Sequence, residues 1–302
     1  MSFEATRRPA DRQASSTIRN FTFDHEVEDK FSEATRKTLI VFPKLLASLE
    51  DLLRNYHADN PAGLVERSSL PLENLNASGR LIATLYLTKT IYYSRAIIDC
   101  VNARNLLVAF QSMRALIEVV AAVRHTLENL EPLIHECTAR GVVTSEQARQ
   151  MNFHCDLLLH GGQFDWGHYF EKGAWAVLEK KSKQRSKEER QEYAQQTRYL
   201  KVENCMKTWS KKQPLARFAY DFLCDLVHPN KGSNLVLLVE RKSGALFDVD
   251  GTNAVGYMIF DRIFPLAIKL CMEETGRLFL TFAILGADEE KLKASMSLSE
   301  FA

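Results

Sequence analysis

The sequence predicts an all-α fold, an irregular multi-helix bundle with one small β-hairpin near residues 235–249. Two observations carry the helices: apolar residues recur at three- and four-residue steps through most of the chain, and helix-starting and helix-ending residues separate those stretches. A third carries the hairpin. Leu235 to Glu240 and Ala245 to Val249 flank Arg241-Lys242-Ser243-Gly244, with Gly where a tight turn needs positive φ.

Taken in order, Val27, Phe31, Ala34, Leu39, Phe42, Leu46, Leu49 and Leu53 predict an amphipathic helix from about Asp24 to Tyr56, kinked at Pro43. His57 to Asn76 has no periodicity and contains Asn60-Pro61, Gly63, Ser68-Ser69 and Pro71, so it reads as a loop. Two long helices follow from Ala77 to Asn129. The second, about Ala103 to Leu127, is apolar on nearly every face and reads as a central, fully packed helix. Thr144-Ser145-Glu146-Gln147 is a capping-box signature for a helix that ends before Gly161-Gly162. Ser186 and Glu189 open another, after the basic stretch Lys180 to Arg190, which reads as a solvated helix end or linker because no aromatic residues interleave it. A helix from about Pro214 to His228 stops at Pro229, and Asn230-Lys231-Gly232-Ser233 reads as a flexible loop before the hairpin. The last helix covers about Thr252 to Leu285, with a kink at Pro265. The expected organisation is a disordered tail over 1–20, a single helical domain over 21–286 and a polar tail over 287–302.

At 302 residues the chain can bury a sizeable core, and its net charge of +1 gives no global pull towards nucleic acid or anionic lipid. The first 20 residues hold no apolar stretch that could serve as a signal peptide. Leu106 to Val123 is the most apolar window, yet Arg114 and Glu118 interrupt it, which argues against a membrane span. The six cysteines show no CxxC pair and read as reduced core thiols. Together these features predict a soluble cytoplasmic protein with no membrane partner.

Three constellations could carry chemistry. Arg114 and Glu118 lie one helical turn apart in a segment expected to be buried, so they must pair with each other or with polar groups from neighbouring helices; the alternative is an ion pair that only fixes helix register. Tyr220, Cys224 and His228 fall on one helix face, with His228 at the C-terminal end, where the helix dipole favours its protonated form. It could donate a proton, or merely cap the last carbonyls. Arg149, Asn152, Asp156 and His160 form a polar stripe on the helix opened by Thr144, and Asp156 with His160 supplies only two metal ligands, so no metal is assigned. No Walker loop, G-x-G-x-x-G, G-x-S-x-G or H-E-x-x-H occurs, and no cofactor is assigned.

Arg104 and Arg114-x-x-x-Glu118, followed about a hundred residues later by Tyr220 through His228-Pro229-Asn230, resemble a group of poorly characterised bacterial all-helical proteins, themselves loosely similar to HEPN-type helical domains. The resemblance covers roughly a third of the chain and rests on these two short motifs. It implies a place in bacterial stress or phage-defence signalling, and for the nuclease branch of HEPN domains a metal-independent endoribonuclease with an Arg four to six residues ahead of a His. Here ten residues separate Arg217 from His228, a departure from that pattern, whereas Arg149 and His154 have four between them.

The leading expectation is therefore a polar inter-helix pocket lined by Arg114, Glu118, Tyr220 and His228 that recognises a small ligand or RNA. The rivals are an endoribonuclease using His228 or His154 as general acid or base, and a structural protein whose apolar helices form a homo-oligomer interface. The sequence leaves open whether the chain is an enzyme.

Overall fold

The computed structural model describes residues 22–23, 31–59, 70–160, 172, 200–228, 231–241, 244–247 and 254–287. Among these the architecture is all-α, with eight helices: α1 (Glu33–Asp59), α2 (Pro71–Asn102), α3 (Leu106–Arg140), α4 (Ser145–His160), α5 (Val202–Lys212), α6 (Pro214–Val227), α7 (Lys231–Leu237) and α8 (Ala254–Leu285). Between α7 and α8, β1 (Leu238–Arg241) and β2 (Gly244–Phe247) pair antiparallel, Leu238 opposite Phe247 and Arg241 opposite Gly244. The tails over 1–20 and 288–302, the basic stretch and the helix expected at Ser186 lie outside the described residues.

Helices α2 and α3 form the centre, α2 packing on α1, α3, α4 and α8, and α3 on α2, α4, α5, α6 and α8. Only Ala103 to Asn105 join them, so they run antiparallel. Arg104 takes a left-handed φ of 60° in that turn. Asn105 then accepts the Val108 N–H on its side-chain oxygen at 3.1 Å, starting α3. On α3 Phe110, Met113, Leu116, Ile117, Val120 and Leu127 are all buried, one stripe at three- and four-residue steps. This helix is long and apolar enough to cross a membrane, and 56% of its most apolar window is buried inside the fold. Against it α8 contributes Phe260 and Phe264, stacked at 4.8 Å, with Phe31 and Phe42 packed around them. α2 and α8 cross so closely that a Cβ on Gly79 would lie 2.6 Å from the Gly286 nitrogen.

Several boundaries differ from expectation for physical reasons. α1 starts at Glu33, where Ser32 Oγ accepts the Thr35 N–H at 3.4 Å and the Ser32 N–H reaches Asp261 Oδ1 at 2.8 Å. The helix runs on through Pro43. α2 begins at Pro71, six residues before Ala77, because a proline in the first turn opens a helix rather than closing a loop. The expected loop at Lys231-Gly232-Ser233 is the start of α7: Asp225 Oδ2 accepts the Gly232 N–H at 3.0 Å, and a Cβ at Gly232 would stand 2.3 Å from that oxygen, so a larger residue would displace the Asp225 carboxylate. Leu235 and Val236 consequently belong to α7, not to a strand. α5 has no counterpart in the sequence reading, although its Trp209 is among the largest fully buried side chains.

Candidate functional site

Three of the four expected site residues meet where α6 lies on α3. Arg114 Nε stands 3.0 Å from Glu118 Oε1 within α3, and the Tyr220 hydroxyl of α6 donates to the same Glu118 oxygen at 3.3 Å. The Arg114 guanidinium lies over the Tyr220 ring, 5.8 Å from its centroid. The Arg114–Glu118 contact is an ion pair without hydrogen-bond alignment, for Arg114 Nε has no hydrogen-bond partner among the described residues. The chain brings them together simply: Arg114 and Glu118 are stacked by the helical repeat, and Tyr220 is held at their level by Ala216, Ala219 and Leu223, which bury α6.

The expectation that this pair is buried is corrected. Arg114 and Glu118 side chains are 25% and 28% exposed, because α3 carries its packed stripe on one side and leaves this flank at the rim. Burial works against the Arg114 charge, but Glu118 and Tyr220 outweigh it and its pKa is raised. Desolvation first, then the Cys224 thiol and the Glu118 carboxylate, push the Tyr220 hydroxyl up to about 12 against a smaller pull from Arg114. Tyr220 is thus a donor at neutral pH, not a base.

His228 does not join them. It is the residue capping α6, its backbone N–H donating to the Cys224 carbonyl at 3.0 Å, and its exposed side chain lies two helical turns, about 12 Å, beyond Tyr220 along the axis. No hydrogen bond or ion pair links an arginine to His228 or His154 among the described residues, and Arg149 instead faces Glu146 at 3.5 Å. Asn152 donates to the Pro71 carbonyl at 2.7 Å, tying α4 to the start of α2. The His160 side chain lies outside the described residues, and no group of three His, Cys, Asp or Glu able to hold a metal occurs among those described.

Glu118 also forms part of the wall of an open cavity of about 370 Å³ lined by α2, α3, α4 and Leu200. Tyr86, Val119, Ala122, Val123 and Leu158 give it an apolar interior, and Lys89 is its other charged residue. The pocket is therefore mixed, apolar side chains alternating with Glu118, Lys89 and the two tyrosines Tyr86 and Tyr93, and of the four residues expected to line a pocket only Glu118 lines this one. Because α2 and α3 are antiparallel, Lys89 and Tyr93 sit roughly level with Glu118 and Ala115, while Ile82 sits near Val123 at the opposite end. Lys89 and Glu118 thus face each other at one level, and from there Val119, Ala122 and Val123 continue an apolar wall towards Ile82.

Sequence reasoning missed a more buried cation. Arg124, with its side chain 6% exposed, pairs with Glu274 of α8 and, at 3.1 Å, with Glu128 of its own helix. Arg277 bridges Glu274 at 3.0 Å and Glu131 at 3.1 Å, and Lys212 approaches Glu128 at 3.7 Å. Three cations and three carboxylates balance, so this network clamps α3, α5 and α8 and leaves no charge for a ligand. The same Arg-x-x-x-Glu spacing that singled out Arg114 was present at Arg124.

Comparison with protein-family models, with curated proteins and with solved structures returns no match for this chain.

Proposed function

We propose that this chain is a small-ligand recognition protein whose site is the cavity between α2, α3 and α4. The observation that carries the reading is that Glu118, fixed by Arg114 and Tyr220 from two helices, borders a cavity of about 370 Å³ whose other walls include Val119, Ala122, Val123 and Leu158. That volume falls at the lower end of ordinary ligand pockets, roughly 300–1,000 Å³. A carboxylate oriented by a guanidinium and a phenol is pre-organised, and pre-organised polar groups beside apolar walls supply orientation while the walls supply affinity. The endoribonuclease reading gains no comparable support, since among the described residues no hydrogen bond or ion pair joins an arginine to either candidate histidine.

The test is ligand-induced stabilisation of the purified protein across a library of small amphipathic molecules, run beside an Ala122→Phe variant. Compounds that raise the melting temperature of the wild type and leave the cavity-filled variant unchanged support the reading. A library without any stabilising compound at millimolar concentration, or hits that stabilise both proteins equally, refutes it.

A further inference from the structure

The charges around the cavity are unequally spoken for, and that difference specifies a ligand. Glu118 is neutralised by Arg114 at 3.0 Å and receives the Tyr220 hydroxyl. Lys89, exposed at the rim, has no hydrogen bond or ion pair among the described residues. With Glu118 paired to Arg114, which stands outside the cavity lining, Lys89 is the one charge of that lining left without a partner among the described residues. Beyond it, towards Ile82 and Val123, the walls are hydrocarbon.

We propose that the cavity takes a single-chain anionic amphiphile, its carboxylate or phosphate head at Lys89 and its tail running between α2, α3 and α4 towards Ile82 and Val123. This rests on the reading of the cavity as a ligand site and adds the chemistry of the ligand. A volume of about 370 Å³ suits one chain rather than two. The tail supplies most of the affinity, since each methylene buried contributes roughly a factor of four, and two removed weaken binding about fifteenfold. The head sets orientation: an exposed lysine and a carboxylate attract modestly in water, while a like charge in place of the lysine repels.

Isothermal titration of the full chain at low salt with four ten-carbon probes, decanoate, decyl phosphate, decylammonium and decanol, decides the matter. Decanoate or decyl phosphate binds at least several-fold more tightly than decanol, and decylammonium binds worst. Which of the two anions binds more tightly distinguishes a carboxylate from a phosphate ligand. In Lys89→Glu the order inverts, decylammonium gaining and the anions losing about tenfold; the exposed position leaves the fold unaffected, and Lys89→Gln serves as a second variant in which the preference for anions disappears. Equal binding of all heads, a preference for decylammonium in the wild type, or an unchanged order in Lys89→Glu overturns the anionic head while leaving the cavity as a site. No binding by any of the four to a folded protein overturns both.

Discussion

Replacing Arg124 by Met tests whether the buried network is a clamp in the energetic sense. The Arg124 side chain is 6% exposed, and its partners Glu128 and Glu274 are 14% and 19% exposed. Removing one partner of a buried pair costs about 3–5 kcal/mol, because the charge left behind stays desolvated. Here each carboxylate keeps one cation, Lys212 for Glu128 and Arg277 for Glu274, so the low end, about 3 kcal/mol, is expected. Glu274→Gln alone should cost about 1–2 kcal/mol, as its loss leaves Arg124 with Glu128. The double variant should then be little worse than Arg124→Met, a coupling of about 1.5 kcal/mol. Urea unfolding followed by circular dichroism gives all four stabilities. A cost below about 1 kcal/mol for Arg124→Met, or additivity within about 0.5 kcal/mol, would refute the clamp.

Gly79→Ala should destabilise the protein by about 1–2 kcal/mol, because its Cβ meets the backbone of Leu285 and Gly286 at 2.8 and 2.6 Å, more than offsetting alanine's helix preference. Gly276→Ala, also in a helix but with nothing near its Cβ, should stabilise by about 0.5–1 kcal/mol, and thermal melts of the two variants shifting the same way would contradict this account of the α2–α8 crossing. Acid should weaken the fold through His125 and His154, whose pKa values burial lowers, with Glu128 opposing the shift at His125 and His125 adding to it at His154. In the unfolded chain both take up protons near the ordinary value of about 6.5, so stability is full above that pH and falls as pH drops below it. Urea midpoints measured from pH 7.5 down to 5.5 should decline more steeply for the wild type than for a His125→Gln, His154→Gln double variant, and equal slopes would remove these histidines from the explanation.

What was legible in the sequence was what one element decides by itself. The capping box at Thr144 closes as its residues imply, Thr144 N–H to Gln147 Oε1 at 3.0 Å and Gln147 N–H to Thr144 Oγ1 at 3.2 Å, because four consecutive residues suffice. Arg114 and Glu118 were visible because charges in an apolar helix stand out, and their meeting with Tyr220 follows from a four-residue repeat on each helix. The cavity was not visible, since it depends on how α4 lies across α2 and α3, and no local pattern in Lys89 or Leu158 encodes that crossing. α5 escaped notice because Cys205, Met206 and Trp209 alone bury it, too few residues to show a period. His228 was misjudged because the loop beside it is a short helix, held by Asp225 through a side chain three residues ahead of the histidine.

The most direct test of the cavity as a binding site is methyl NMR of Ile, Leu, Val-labelled protein titrated with decanol, a neutral probe that isolates the cavity from the head group. Saturable shifts at Val119, Val123 and Leu158, with Leu278 of the core and the exposed Val41 and Leu45 of α1 unmoved, are what a ligand seated between α2, α3 and α4 produces. Shifts at Val41 and Leu45 with the cavity methyls unchanged would place the ligand on the outer surface and contradict the assignment.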